Sequence, residues 1–146
     1  MNIYIRTNEN DLLKYLNQDE LLNIQKLEKM TDFQPSQMIN EDQDYKENIY
    51  VIKTGSVKIT YNTGKKSRTI DECHDGEIIW LTNLFNDHDL SITINALIPT
   101  SCHKYNLQEL SQFMLNNPSI ASKIQAALND SQCEKLIRIT QKLGGR

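Results

Sequence analysis

Apolar residues between Ile49 and Asn106 mostly alternate with polar ones, and turn signals separate the alternating runs. A period of two places the apolar side chains on one face, which is typical of a half-buried β-strand. About seven short strands fit between turns spaced 8–12 residues apart, a pattern that favours a sandwich or a small barrel. The middle of the chain is therefore predicted to be β-rich.

Helical patterns precede these strands. A short helix is predicted over residues 12–16, with Asn10 or Asp11 as its cap. Asp19 is the expected cap of a second helix, whose apolar residues recur every three or four positions.

The longest element predicted follows the strands. Pro118 suits the first turn of a helix, and no glycine or proline interrupts the chain again before Gly144. A helix of about 25 residues is roughly 37 Å long, more than so small a β-domain can cover. We therefore divide the chain into a β-rich unit, residues 1–116, and a long helix with a hinge, residues 117–146.

Composition excludes several classes of protein. The net charge is −3, so the chain lacks the overall basic excess of most DNA-binding domains. The one tight basic cluster is Lys65, Lys66 and Arg68 beside Gly64, and we expect it to decorate a solvated turn. No apolar run approaches the ~20 residues of a membrane span, and no signal peptide begins the chain, which predicts a cytoplasmic protein.

Several segments, taken in order, resemble the cyclic nucleotide-binding domain of Crp/Fnr-type bacterial transcription regulators. The stretch 47–59 resembles its signature, with Gly55 at a tight reversal, and Asp75-Gly76 stands where the family has the glycine before its ligand-binding segment. Residues 117–120 are similar to the start of the family's long helix. The resemblance implies a mainly β fold with flanking helices: a double-stranded β-helix, or jelly-roll β-roll, followed by a long C-terminal dimerisation helix.

The ligand-binding segment departs from this family. By alignment, Trp80 replaces a glycine, Leu81 replaces the glutamate that takes the ribose hydroxyl, and residues 82–97 contain no arginine or lysine. A desolvated phosphate needs a cationic partner or several donors, so we predict that cyclic AMP and cyclic GMP are not bound in the usual way. The candidate pocket residues are Gly76, Ile79, Trp80, Leu81, Thr82 and Asn83.

Two functions remain open. The segment 76–85 is similar to that of PrfA-like activators, which implies a different small-molecule effector or none. In the first reading the chain is the effector-sensing and dimerisation domain of a transcription regulator, and Trp80 stacks on the effector. In the alternative, Trp80 fills the emptied pocket and the roll is a ligand-free module for protein–protein interaction.

The resemblance also implies a homodimer through the long helix. Alternatively, the first half of the helix packs on the roll and only the later part dimerises. The candidate interface residues are Ile124, Leu128, Leu136, Ile139 and Leu143. DNA would be bound only through a winged helix-turn-helix that is absent from this chain, and the ending Gly144-Gly145-Arg146 favours a truncated protein.

Metal and catalytic sites are not expected. Cys73-His74 and Cys102-His103 are adjacent pairs on predicted strands, where neighbouring side chains point to opposite faces and do not chelate together. The three cysteines are expected to be reduced. Without a His-x-His pair or a nucleophile elbow, the chain is predicted not to be an enzyme and to carry no cofactor.

Overall fold

The structure is a computed structural model that describes residues 10–41, 43–79 and 91–144. The strands of this part are β1 Lys29–Phe33, β2 Asn48–Thr54, β3 Val57–Thr63, β4 Lys66–Cys73, β5 Ile78–Ile79, β6 Ser91–Ala96 and β7 Thr100–Asn106. Its α-helices are α1 Gln18–Ile24, α2 Gln43–Lys46, α3 Leu107–Asn116 and α4 Pro118–Gly144, and a 3₁₀ turn, Gln25–Leu27, follows α1. The prediction of a mainly β fold with flanking helices and a long last helix is confirmed.

The strands form two antiparallel sheets. One has the order β1-β7-β2-β5 and the other the order β4-β3-β6. The predicted hairpin of β3 and β4 is confirmed, with Thr63 opposite Lys66 across the turn at Gly64. Strand β1 was not predicted, since it is an edge strand in which only Phe33 is buried and no apolar alternation marks it.

Strand β2 is buried on both faces, although we predicted a half-buried strand. Tyr50 and Ile52 point into a core between the two sheets, while Ile49 and Val51 point into a second core. That second core lies under the N-terminal segment and the helices α1, α3 and α4. Because helices cover this sheet, both sets of β2 side chains leave water, and its apolar run is nearly continuous.

The N-terminal predictions need two corrections. Residues 12–16 form turns rather than a helix, and their three leucines are buried in the second core. Asn10 does act as a cap, since its side chain accepts hydrogen bonds from the amides of Leu12 and Leu13. Helix α1 is capped by Asn17 and not by Asp19, because Asn17 and Glu20 satisfy each other's amides in a capping box.

Helix α4 begins at Pro118, as predicted, and lies against the roll. One stripe of its side chains is buried: Ile120, Ile124, Ala127, Ser131, Lys135 and Ile139. Ile124 belongs to the second core and Ile139 to the core between the sheets. The division at residues 116 and 117 stays a prediction, since the helix shares both cores with the strands.

Candidate functional site

The turn that leads into the predicted pocket is held from two sides. Gly76 has a φ of +89°, a left-handed conformation that favours glycine. Its amide donates to the carbonyl of Ile52 at 2.7 Å, and its carbonyl accepts from the amide of Asp11 at 2.8 Å. The amide of Ile52 in turn donates to the carbonyl of Glu77 at 3.0 Å. These hydrogen bonds fix the position of the turn relative to β2, and so the point from which the predicted pocket segment begins.

Only part of the predicted pocket lies in the described chain. Ile79 pairs with Tyr50 across β5 and β2, and its fully buried side chain belongs to the core between the sheets. Trp80, Leu81, Thr82 and Asn83 lie outside the described residues. The structure thus brings Gly76 and Ile79 to β2, and the pocket itself stays a prediction.

A group of four ionised side chains, here called the charged cluster, joins this turn to α4: Asp71, Glu77, Lys135 and Arg138. Arg138 donates from Nε and Nη2 to the two carboxylate oxygens of Asp71, at 2.9 and 2.8 Å. Its Nη2 also donates to Oε1 of Glu77 at 2.8 Å. The hydrogen bonds to Asp71, and then to Glu77, raise the pKa of Arg138 above its ordinary value. One arginine thereby binds both β4 and the turn that follows it.

Lys135 is the most deeply buried member of the charged cluster. Its side chain is only 2% exposed, and its Nζ lies 3.9 Å from Oε1 of Glu77 and 3.4 Å from Sγ of Cys73. Burial raises the pKa of the Cys73 thiol to about 11, so the thiol is a neutral neighbour. A buried ammonium needs a counter-ion, and Glu77 is the nearest carboxylate with which it forms an ion pair.

Sequence reasoning missed the charged cluster. The available signal was the helical period, since Lys135 stands four residues from both Ser131 and Ile139 on the buried stripe of α4. A lysine at an inward position predicts a buried partner of opposite charge. The partner itself could not be predicted, because Glu77 is distant from Lys135 along the chain.

A groove of about 650 Å³ lies between β4 and the end of α4. Its lining residues are Thr69, Ile70, Asp71, Glu72, His74, Glu77, Arg138, Gln141 and Lys142. Carboxylates and cations face it together, and the charged cluster forms one end of it. Of the segment 76–85, Glu77 is the described residue that lines this groove.

The predicted dimer residues fall in three different environments. Ile124 and Ile139 are buried in the cores of their own protomer, and Leu128 packs partly against the second core. Leu136 is 53% exposed, and its neighbour Ile137 is 58% exposed. The side chain of Leu143 lies outside the described part.

The cysteine–histidine pairs are not brought together as ligands. Cys73 and Cys102 both lie in the core between the sheets, whereas His74 is largely exposed and His103 lies 3.6 Å from Glu28. Over residues 10–41, 43–79 and 91–144, no group of three or more histidine, cysteine or acidic side chains is arranged to hold a metal.

The family model of the cyclic nucleotide-binding domain matches residues 30–117, well over half of the sequence. The chain belongs to the cyclic nucleotide-binding domain family. A search of curated proteins finds no match.

Solved structures of this family share the fold. A cyclic nucleotide-binding domain from Methylobacillus flagellatus aligns with a TM-score of 0.74 at 17% identity, covering 86% of this chain and 71% of that one. A double mutant of CooA from Carboxydothermus hydrogenoformans aligns with a TM-score of 0.63 at 17% identity, covering 95% and 86%. The catabolite activator protein of Thermus thermophilus aligns with a TM-score of 0.68 at 17% identity, covering 89% of this chain and 62% of that one.

These findings confirm the predicted cyclic nucleotide-binding domain and its fold, whereas a place in a Crp/Fnr-type regulator belongs to the proposal below. The domain's assignment to the PrfA-like branch stays a prediction. None of the helices in the described part is both long and apolar enough to cross a bilayer.

Proposed function

We propose that this domain senses an effector other than a cyclic nucleotide and passes its state to α4, as part of a cytoplasmic transcription regulator. In this proposal DNA is bound by a separate C-terminal domain, and the roll itself is not an enzyme. Support comes from the family, from the fold, and from the departures at Trp80 and Leu81.

One observation carries the proposal: Glu77 connects the pocket turn to the long helix. Its backbone carbonyl is bound to β2, and its carboxylate accepts from Arg138 and faces Lys135. Three residues later the chain enters the segment that holds the ligand in the family. An effector that shifts this segment changes the contacts of Glu77, and so biases the position of α4.

Replacing Glu77 by glutamine tests this connection. We expect faster amide hydrogen exchange over residues 131–142 of α4, because Lys135 loses its counter-ion and Arg138 loses one of its two carboxylate partners. Glu109→Gln on α3 is the matched control, since Glu109 is exposed and its side chain faces no residue of the charged cluster. Unchanged exchange in α4 of the Glu77 variant would contradict the proposal.

The ligand class is tested by calorimetry with cyclic AMP and cyclic GMP. No binding is expected at millimolar nucleotide, because residues 82–97 contain no arginine or lysine for the phosphate. Low-micromolar binding would overturn this part. A thermal-shift screen of small metabolites then separates a sensor, which some compound stabilises, from the alternative ligand-free protein-binding module, which none stabilises.

We further propose a homodimer through the outward face of α4. The exposed side chains at the centre of this face are uncharged: Ser122, Gln125, Ala126, Asn129, Cys133, Leu136, Ile137 and Thr140. Asp130 and Glu134 lie at its edge. Leu136 was among the predicted interface residues, whereas Ile124 and Ile139 are replaced in this proposal by Cys133 and Ile137. An uncharged stripe with exposed leucine and isoleucine fits a second copy of the same stripe.

Light scattering of a Leu136→Glu, Ile137→Glu variant tests the dimer. We expect a monomer, because four carboxylates would meet across the interface. Leu115→Glu is the control, since Leu115 is 75% exposed on α3 and lies off this face. A monomeric wild-type chain at high concentration would refute the dimer.

A further inference from the structure

Two stretches of this acidic chain contain basic residues and no acidic ones. Residues 48–70 contain five basic residues and no acidic one, and residues 135–146 contain four basic residues and no acidic one. The first stretch includes most of the hairpin of β3 and β4, and the second includes the end of α4.

The fold brings these two stretches together. A guanidinium nitrogen of Arg68 on β4 donates to the backbone carbonyl of Lys142 in the last turn of α4. Arg138, four residues before Lys142 on α4, pairs with Asp71, three residues after Arg68 on β4, so α4 runs antiparallel to β4. The tip of the hairpin therefore lies beside the helix end.

The ammonium groups at this end are uncommitted in the described chain. Lys65, Lys66 and Lys142 are exposed, and none of them forms an ion pair with a carboxylate of residues 10–41, 43–79 or 91–144. Arg68 is already engaged by the helix carbonyl, a favourable position for a cation at a helix C-terminus. Arg68 therefore positions the hairpin and is not one of the proposed phosphate contacts.

We propose that Lys65, Lys66 and Lys142 form a surface that binds the phosphate backbone of double-stranded DNA. Sequence composition alone favoured a solvated turn, but the structure adds a third cation from α4 to the two of the hairpin. The inference goes beyond the proposed function, since it holds whether or not the roll senses an effector. It assigns a direct DNA contact to the β-roll domain itself.

The surface favours duplex backbone over other polyanions. Protein interfaces carry exposed apolar anchors, and none of the large exposed hydrophobic side chains lies on the hairpin. Single-stranded nucleic acid is bound by exposed aromatic side chains on which bases stack, and the residues of the hairpin tip, 63–67, include no aromatic. Backbone phosphate needs only cations at a spacing that a flexible lysine can reach.

Fluorescence anisotropy of the 146-residue chain with a labelled duplex tests the proposal. Binding is expected at low salt, with log K falling against log salt at a slope of about −2.7, because each of three phosphate contacts contributes about −0.9. A Lys65→Gln, Lys66→Gln variant should reduce the slope to about −0.9 and weaken binding at least about tenfold at low salt.

The matched control is Lys26→Gln with Lys29→Gln, which removes the same charge. Both lysines are exposed. Lys26 precedes β1 and Lys29 lies on β1, which belongs to the other sheet. The control should bind DNA within about twofold of wild type, because it leaves all three contacts in place. Three outcomes overturn the proposal: no binding of duplex by the wild type, equal loss in the control, or tighter binding of anionic phospholipid vesicles than of duplex.

Discussion

Arg138 on α4 binds both carboxylate oxygens of Asp71 on β4, at 2.9 and 2.8 Å. The side chain of Asp71 is 5% exposed and that of Arg138 is 37% exposed, so the pair lies at the boundary of the core. A bidentate pair fixes direction as well as distance. It therefore sets how the last turns of the long helix lie on the roll.

Removing the guanidinium should destabilise the domain. Arg138→Gln leaves the buried Asp71 carboxylate without its main partner, and we expect a loss of about 1–2 kcal/mol, reduced by the exposure of the arginine. Urea unfolding measures this loss of stability. The double variant with Asp71→Asn should lose less than the sum of the two single variants, because both remove the same interaction. Additive losses would show that the pair is not coupled.

Gly55 and Gly64 offer a matched comparison of two turns. Gly55 has a φ of +124°, and a Cβ there would lie 2.4 Å from Oγ1 and 2.7 Å from Cα of Thr100. Gly64 has a φ of +63°, and a Cβ there would meet nothing within 4 Å. We expect Gly55→Ala to lose several kcal/mol or fail to fold, and Gly64→Ala to lose about 1 kcal/mol. Equal melting temperatures for the two variants would contradict this account of the β2–β3 turn.

The three thiols should differ sharply in reactivity. Burial raises the pKa of Cys73 to about 11 and that of Cys102 to about 12, whereas Cys133 is exposed. The thiolate is the reactive form, so at pH 8 the folded Leu136→Glu, Ile137→Glu variant, in which the proposed interface is open, should be alkylated at Cys133 only. Denaturation should expose all three thiols to the alkylating reagent. Mass spectrometry identifies the alkylated cysteines in the native and the denatured protein. The Cys133→Ser variant should not be alkylated in its native state. Rapid native alkylation of Cys73 would disprove its burial.

Tyr105 connects β7 to the N-terminal segment and to the start of β1. Its hydroxyl donates to Glu28 at 2.6 Å and accepts from the amide of Asn10 at 3.3 Å. Replacing it by phenylalanine leaves both partners partly unsatisfied, and we expect a loss of about 1–2 kcal/mol in urea unfolding. Tyr61→Phe is a suitable control, since Tyr61 is only partly buried and packs at the edge of the other core.

The same tyrosine predicts a pH dependence. Burial, and then the charge of Glu28, raise the pKa of Tyr105 above its ordinary value of 10. Above pH 10 the unfolded chain releases this proton and the folded chain keeps it, so stability falls as the pH rises. Below pH 10 both states hold the proton and the effect vanishes. Tyr105→Phe should flatten the alkaline part of the stability profile, and an unchanged slope would contradict the raised pKa.

The sequence by itself determined the order of strands β2 to β7 and the positions of most turns, but not strand β1. Alternation in β3, the hairpin at Gly64, the turn at Gly76 and the start of α4 at Pro118 were all predictable, because each depends on neighbouring residues. The departures at Trp80 and Leu81 were equally visible, and they lie outside the described residues.

Only the tertiary structure decided which side chains meet across the chain. It buried Ile124 and Ile139 in their own protomer, paired Arg138 with Asp71 and Glu77, placed Lys135 in the core, and brought Lys142 beside the basic hairpin. A helical period shows that residues share a face, but not what that face contacts. The contacts follow from the packing of two sheets and a long helix around shared cores, which no local pattern specifies.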